Sequence, residues 1–171
     1  AAHHNLRVNL NRLRPLLVRW GVDNALAAEQ RRLRLVIATD VAEMRNAHAG
    51  GEWPKAAAIP EGGFLDSLSF RAFPVLGEWA SAERQALLDL WRDALVQAAP
   101  GLHPMKMAEL ARRFRAVDPA DEAVLRILLG ALAATDQLAE AAASYRRFAE
   151  ALQRECGDAP SDDLRQFAAR L

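Results

Sequence analysis

The run Arg112-Arg113-Phe114 returns as Arg146-Arg147-Phe148, and the offset of 34 residues extends well beyond those triplets. The same shift lays Arg92 on Arg126, Ala99 on Ala133 and Ala108 on Ala142. It also lays Trp91 on Leu125, and the break at Gly101-Leu102 on Thr135-Asp136. A period of this length fits one pair of helices, which buries its apolar faces only against a stacked neighbour. Small alanines where helices cross permit the close approach such stacking needs. Two clear copies predict a short helical array rather than a long solenoid.

The elements around this repeat come from periodicity. From Gly77 a long helix is expected, with Trp79, Ala82, Ala86, Leu87, Leu90, Trp91, Ala94 and Leu95 as one broad stripe, ending by Pro100-Gly101. Asp118-Pro119 offers a cap and a first-turn proline for the next helix. The last helix begins near Ser161, with Ser161 or Asp162 as its cap and Leu164, Phe167, Ala168 and Leu171 as its apolar side. The turn at Asp136 lacks the usual glycine. Arg112-Arg113 and Arg146-Arg147 each read as the end of a second helix, where positive charge suits the dipole. Trp53, Trp79 and Trp91 read as packing residues.

Upstream, Thr39 or Asp40 is the expected cap of a helix of about ten residues. Residues 49 to 63, with Gly50, Gly51, Pro54, Pro60, Gly62 and Gly63, form the most broken stretch, with room for a short helix from Lys55 to Ile59. A linker inside one assembly and a true domain boundary both fit it. Phe64, Leu65, Leu68, Phe70, Phe73 and Leu76 are expected to pack as irregular structure and a helical turn against the long helix from Gly77.

The N-terminal segment differs in kind. Leu6, Leu10, Leu13 and Leu17 recur at helical spacing. Pro15 predicts a kink or early end near Arg14, and Gly21 breaks the pattern. Ala25-Leu26-Ala27 and Leu33-Arg34-Leu35-Val36-Ile37 are strand candidates around the polar tip Glu29-Gln30-Arg31-Arg32. Trp20, beside the glycine turn, reads as an interdomain wedge. The first 35 residues hold seven arginines against Asp23 and Glu29, whereas the rest carry 15 basic and 20 acidic side chains. A net charge of zero therefore hides a segment of +5 joined to a body of −5.

Composition narrows the classes. At 51% hydrophobic, 171 residues can bury a real core. No run approaches the roughly 18 apolar residues of a membrane span, so no membrane partner is expected. The start lacks an initiator methionine and a signal peptide, and an upstream region is expected; the native chain is also open to continuing past Leu171. Cys156 is alone, which suits a reducing cytoplasm. His3, His4, His48 and His103 share no metal spacing, Gly62-Gly63 lacks the rest of a phosphate loop, and Cys156 has no base near it in sequence. The expectation is a non-enzyme without cofactor or metal.

The arginine segment carries the chemistry. A helix exposing Asn5, Arg7, Asn9, Asn11, Arg12 and Arg14 offers what a major groove demands, since Asn pairs bidentately with adenine and Arg reads guanine or grips phosphate. Arg31 and Arg32, at the hairpin tip, would reach an adjacent groove or the backbone. A solvated helix face is the plainer reading of the same arginines. A protein-interaction scaffold, or an intramolecular signalling module built on helical repeats, is the alternative function.

In order come Gly63-Phe64-Leu65-Asp66-Ser67-Leu68, Glu78-Trp79-Ala80, Glu83-Arg84, Asp118-Pro119-Ala120-Asp121-Glu122, Ala131-Leu132, Glu140-Ala141, Tyr145-Arg146 and Cys156-Gly157-Asp158-Ala159-Pro160-Ser161-Asp162-Asp163-Leu164. Residues 62 to 171 thereby resemble the bacterial transcriptional activation domain of the antibiotic regulatory proteins. Residues 4 to 37 resemble the last part of a response-regulator-type winged helix, with its recognition helix and wing. The resemblance implies a mainly α fold: tetratricopeptide-like hairpins over 39–171, preceded over 1–38 by an incomplete winged-helix fragment. It implies a transcription factor whose winged domain contacts duplex DNA. Its helical domain would hold a second protomer, giving a homodimer, or a partner such as RNA polymerase.

Overall fold

The structure, a computed structural model, describes residues 2–29 and 32–171. The chain divides into two compact units, Ala1–Thr39 and Asp40–Leu171.

In the first unit, helix α1 spans Ala2–Arg19. The helix continues through Pro15, so the expected early end near Arg14 is not found. Proline removes a single internal hydrogen bond, and the amides after it resume the ladder, Trp20 donating to the Leu16 carbonyl at 3.0 Å. The helix stops at Gly21, whose φ of +71° lets Gly21 donate to Val18 and Val22 to Leu17. Strands β1 (Leu26–Glu29) and β2 (Arg32–Leu35) form an antiparallel pair, with Leu26 opposite Leu35 and Glu29 opposite Arg32. The tip is thus shorter than the sequence suggested: Glu29 and Arg32 are strand residues because their backbones pair. Leu17 and Ala25 are the buried apolar side chains described here.

The second unit is all helix: α2 (Asp40–Ala49), α3 (Trp53–Ala58), α4 (Pro74–Ala98), α5 (Pro104–Val117), α6 (Glu122–Ala133), α7 (Leu138–Cys156) and α8 (Asp162–Ala168). Helices α5 and α7 begin 34 residues apart, at Pro104 and Leu138, as the internal repeat requires. The fold is mainly α and tetratricopeptide-like. Residues 49 to 63 lie inside this unit, so their breaks turn the chain between α2, α3 and α4.

Alanine and leucine build the core. Ala56 and Ala57 of α3, Ala94 and Leu95 of α4, Ala111 of α5, and Leu129 of α6 are all fully buried. Trp91 fills the centre: its indole Nε1 donates to the Ala57 carbonyl at 3.0 Å and its ring meets Phe114 edge-on at 5.1 Å. The expected α4 stripe holds at Leu87, Trp91, Ala94 and Leu95, but differs in the first turns, where Ala80 is fully buried while Trp79 is half exposed and Ala82 and Ala86 are exposed. A methyl fits where α4 approaches its neighbours, and the indole instead meets Phe64 edge-on at the surface. Phe73, Leu68 and Leu76 are likewise exposed, because the core is already filled by Trp91, Phe114 and the alanines.

Helix ends are fixed by local chemistry. Asp121, not Asp118, caps α6, accepting from Val124 N at 2.8 Å. Asp118 closes the preceding turn on Ala120 N instead, with Pro119 between them. Ser161 caps α8. Asp136 itself takes the left-handed conformation, φ +59°, so Gln137 N reaches the Leu132 carbonyl where a glycine was expected.

Candidate nucleic-acid interface

The leucines of α1 define which side chains turn outward. Leu17 is buried and Leu10 and Leu13 are half-buried, whereas Arg7, Asn9, Asn11, Arg12 and Arg14 are exposed. Arg7, Asn11 and Arg14 recur at spacings of four and three residues and share one stripe of the helix. Arg12 lies about 100° round the axis from Asn11, and Asn9 lies on the far flank, beside the leucines. The five side chains are thus one stripe plus two outliers. Asn5 belongs to the same helix.

Arg32 is exposed at the start of β2, opposite Glu29. Arg31 lies outside the described residues. Among the described residues, none of Arg7, Arg12, Arg14 and Arg19 forms an ion pair, so their charge is presented to solvent. Trp20 is 64% exposed beside the Gly21 stop.

The arginines of the helical unit are used differently. Arg112 pairs with Glu140 at 2.7 Å, and Arg113 donates to the Pro60 carbonyl. Arg146 and Arg147 fall in the middle of α7, which runs on to Cys156, and Arg112 and Arg113 lie before the last turn of α5, which holds Arg115, so the expected helix-end role holds for neither pair. The repeat's second copy is simply longer in its second helix. Arg84 donates to the carbonyls of Phe64 and Leu65 at 2.7 and 2.8 Å, tying the loop before α4 to that helix. Arg115 carries no signal in the sequence, because only the crossing of α5 with α7 sets its guanidinium over the Phe148 ring.

Against known proteins, the model of the bacterial transcriptional activator domain matches residues 30–171. The chain belongs to that family. The match starts within the first unit and takes in all seven helices of the second. Among solved structures, Mycobacterium tuberculosis EmbR, in complex with a low-affinity phosphopeptide, is similar at 24% identity with a TM-score of 0.56. The similarity covers 99% of this chain and 49% of that one, so the chain spans about half of EmbR's length and shares its fold. No curated protein matches the chain. Among the described residues, no helix of this activator-family chain is long and apolar enough to cross a membrane.

Proposed function

We propose that this member of the transcriptional activator family is part of a DNA-binding regulator acting in the cytoplasm by binding rather than catalysis. In this reading residues 1–38 are the recognition helix and wing of a winged domain, and residues 39–171 are the activation domain. The α1 stripe of Arg7, Asn11 and Arg14 enters the major groove. Arg12, Asn9 and Asn5 contact its edges and phosphates, and Arg31 and Arg32 of the hairpin contact the backbone or minor groove. The helical unit holds a second protomer or a protein partner such as RNA polymerase.

The observation that carries the reading is the outward stripe on α1, free of ion pairs among the described residues, in a chain where Arg45, Arg92, Arg112 and Arg126 instead join elements of the helical unit. Arginine at an exposed helical stripe binds phosphate and base edges without first breaking an internal pair.

The test is duplex binding by the polypeptide encoded by the whole gene, read by fluorescence anisotropy across a salt series. Affinity should fall steeply and linearly in log units with salt, as counterion release requires. Changing Arg7, Asn11 and Arg14 together to alanine should weaken binding by about a hundredfold or more. Unchanged affinity in that triple variant rejects the recognition-helix assignment and leaves the interaction scaffold as the reading of the chain.

A further inference from the structure

A groove between α5 and α7 holds a cation whose surroundings the fold does not explain. It has a volume of about 480 Å³ and is floored by Leu128 of α6. Arg112 and Arg115 line it from α5, and Glu140, Ser144 and Arg147 line it from α7. Glu140 is the one carboxylate among these lining residues, beside three guanidiniums, and it is already taken by Arg112 at 2.7 Å. Arg147 Nη2 donates to Ser144 Oγ at 3.1 Å, and Ser144 is buried, 8% exposed.

Arg115 is the outlier. Its guanidinium carbon lies over the Phe148 ring, 5.6 Å from the ring centre, within cation–π range. Its Nη1 is buried and has no hydrogen-bond partner. Burial holds this guanidinium below its ordinary pKa and Arg147 pushes the same way, while Asp121 and Asp118 act against both. Asp121 is committed elsewhere, to Arg92 at 2.7 Å and to the first turn of α6. Arg112 and Arg113, on the same helix, each find an acceptor within the fold. A buried, unmet guanidinium N–H is costly; Arg115 also lines the groove, so an anion seated there would offset the cost of burying the charge without reaching Nη1 itself.

We propose that this groove binds an oxyanion, a carboxylate or a phosphate, carried on a side chain of a protein partner, with Arg115 and Arg147 as its donors. A planar fork held against an aromatic ring suits either oxyanion bidentately. The apolar walls beside it, Ala116, Pro119 and Phe148, suit a neighbouring apolar side chain of the same partner. The groove opens to solvent, which admits a side chain presented by a larger molecule. It stands apart from duplex binding: either property can fail while the other holds.

The test is NMR of the full chain, reading arginine Nε–H and backbone amide signals. The probes are acetyl-Leu-Glu-Leu-amide, acetyl-Leu-phosphoserine-Leu-amide and inorganic phosphate. At least one tripeptide should saturably shift Arg115, Ser144 and Arg147, and bind more tightly than inorganic phosphate. The tighter tripeptide identifies the oxyanion as carboxylate or phosphate. Arg115→Met should weaken that binding by about tenfold or more, with Tm unchanged or raised, because the variant removes an unmet buried charge. If Arg115→Met lowers Tm, Arg147→Gln, at an exposed position, is read in its place for the same loss. No saturable shift with either tripeptide overturns the proposal, as does inorganic phosphate binding equally well. Undiminished binding by the variant read overturns it too.

Discussion

Residues 1–39 and 40–171 draw on the same side chains, chiefly alanine, leucine and arginine, and put them to opposite uses. In the helical unit arginine joins elements: Arg45 meets Glu83 of α4, Arg92 meets Asp121, Arg112 meets Glu140 and Arg126 meets Asp163. In the first unit the α1 arginines face outward along a helix that buries Leu17. Apolar residues divide the same way. The helical unit gathers one continuous core around Trp91 and Phe114, whereas Leu16, Val18, Leu33 and Val36 of the first unit are 40% or more exposed. One unit gets its stability from internal pairing and packing. Among the described residues of the other, Leu17 and Ala25 are the buried apolar side chains.

The sharpest way to break this comparison is to attack each interior. Phe114→Ala should cost the helical unit about 3–5 kcal/mol, since the emptied site lies against Trp91 between tightly packed helices. Urea unfolding followed by tryptophan fluorescence measures it, and a cost under about 1 kcal/mol would contradict a single shared core. Leu17→Ala, by contrast, should abolish amide-exchange protection across residues 16–27, because among the described residues of this unit Ala25 is the other buried apolar side chain.

A smaller effect isolates one bond of the core. Trp91→Phe keeps the ring contact with Phe114 but leaves the Ala57 carbonyl without its donor, an expected loss of about 1–3 kcal/mol. The same urea transition, read by circular dichroism, checks it; no change would show that water replaces the indole.

Capping comes next. Asp121→Ala removes both the α6 cap and the partner of Arg92, and should cost about 1–2 kcal/mol. Ser161→Ala removes a cap alone and should cost about 1 kcal/mol. Equal costs would mean that the Arg92 pair contributes nothing. The smallest expected effect has the opposite sign. Asp136→Gly should stabilise by about 0.5 kcal/mol, because Asp136 holds a left-handed backbone that glycine adopts without strain. Asp136→Val should destabilise by about 1–2 kcal/mol. Thermal melts of the three proteins place them in order.

Much of the helical unit is legible in the chain alone. The 34-residue offset locates α5 and α7 relative to one another, and Ser161 announces α8. Local rules misplace what depends on competition between neighbours. Asp118 and Asp121 are both good caps, and the one that reaches Val124 N takes the role. Trp79 and Ala80 are adjacent, and only the crossing of helices decides that the methyl goes inward. In the first unit, the pattern of leucines orients α1 correctly, while the strand limits shift because Glu29 and Arg32 pair through their backbones.

The sequence by itself determined the helical period, the stop at Gly21, the start of the last helix near Ser161 and the division of charge between the two units. Each of these depends on residues within about one helical turn or on simple counting. Only the tertiary structure decided which arginines are spoken for. Arg112 and Glu140 are 28 residues apart, Arg113 and Pro60 are 53 apart, and the buried Nη1 of Arg115 finds no acceptor. Those outcomes depend on how helices cross, which periodicity along one helix does not encode.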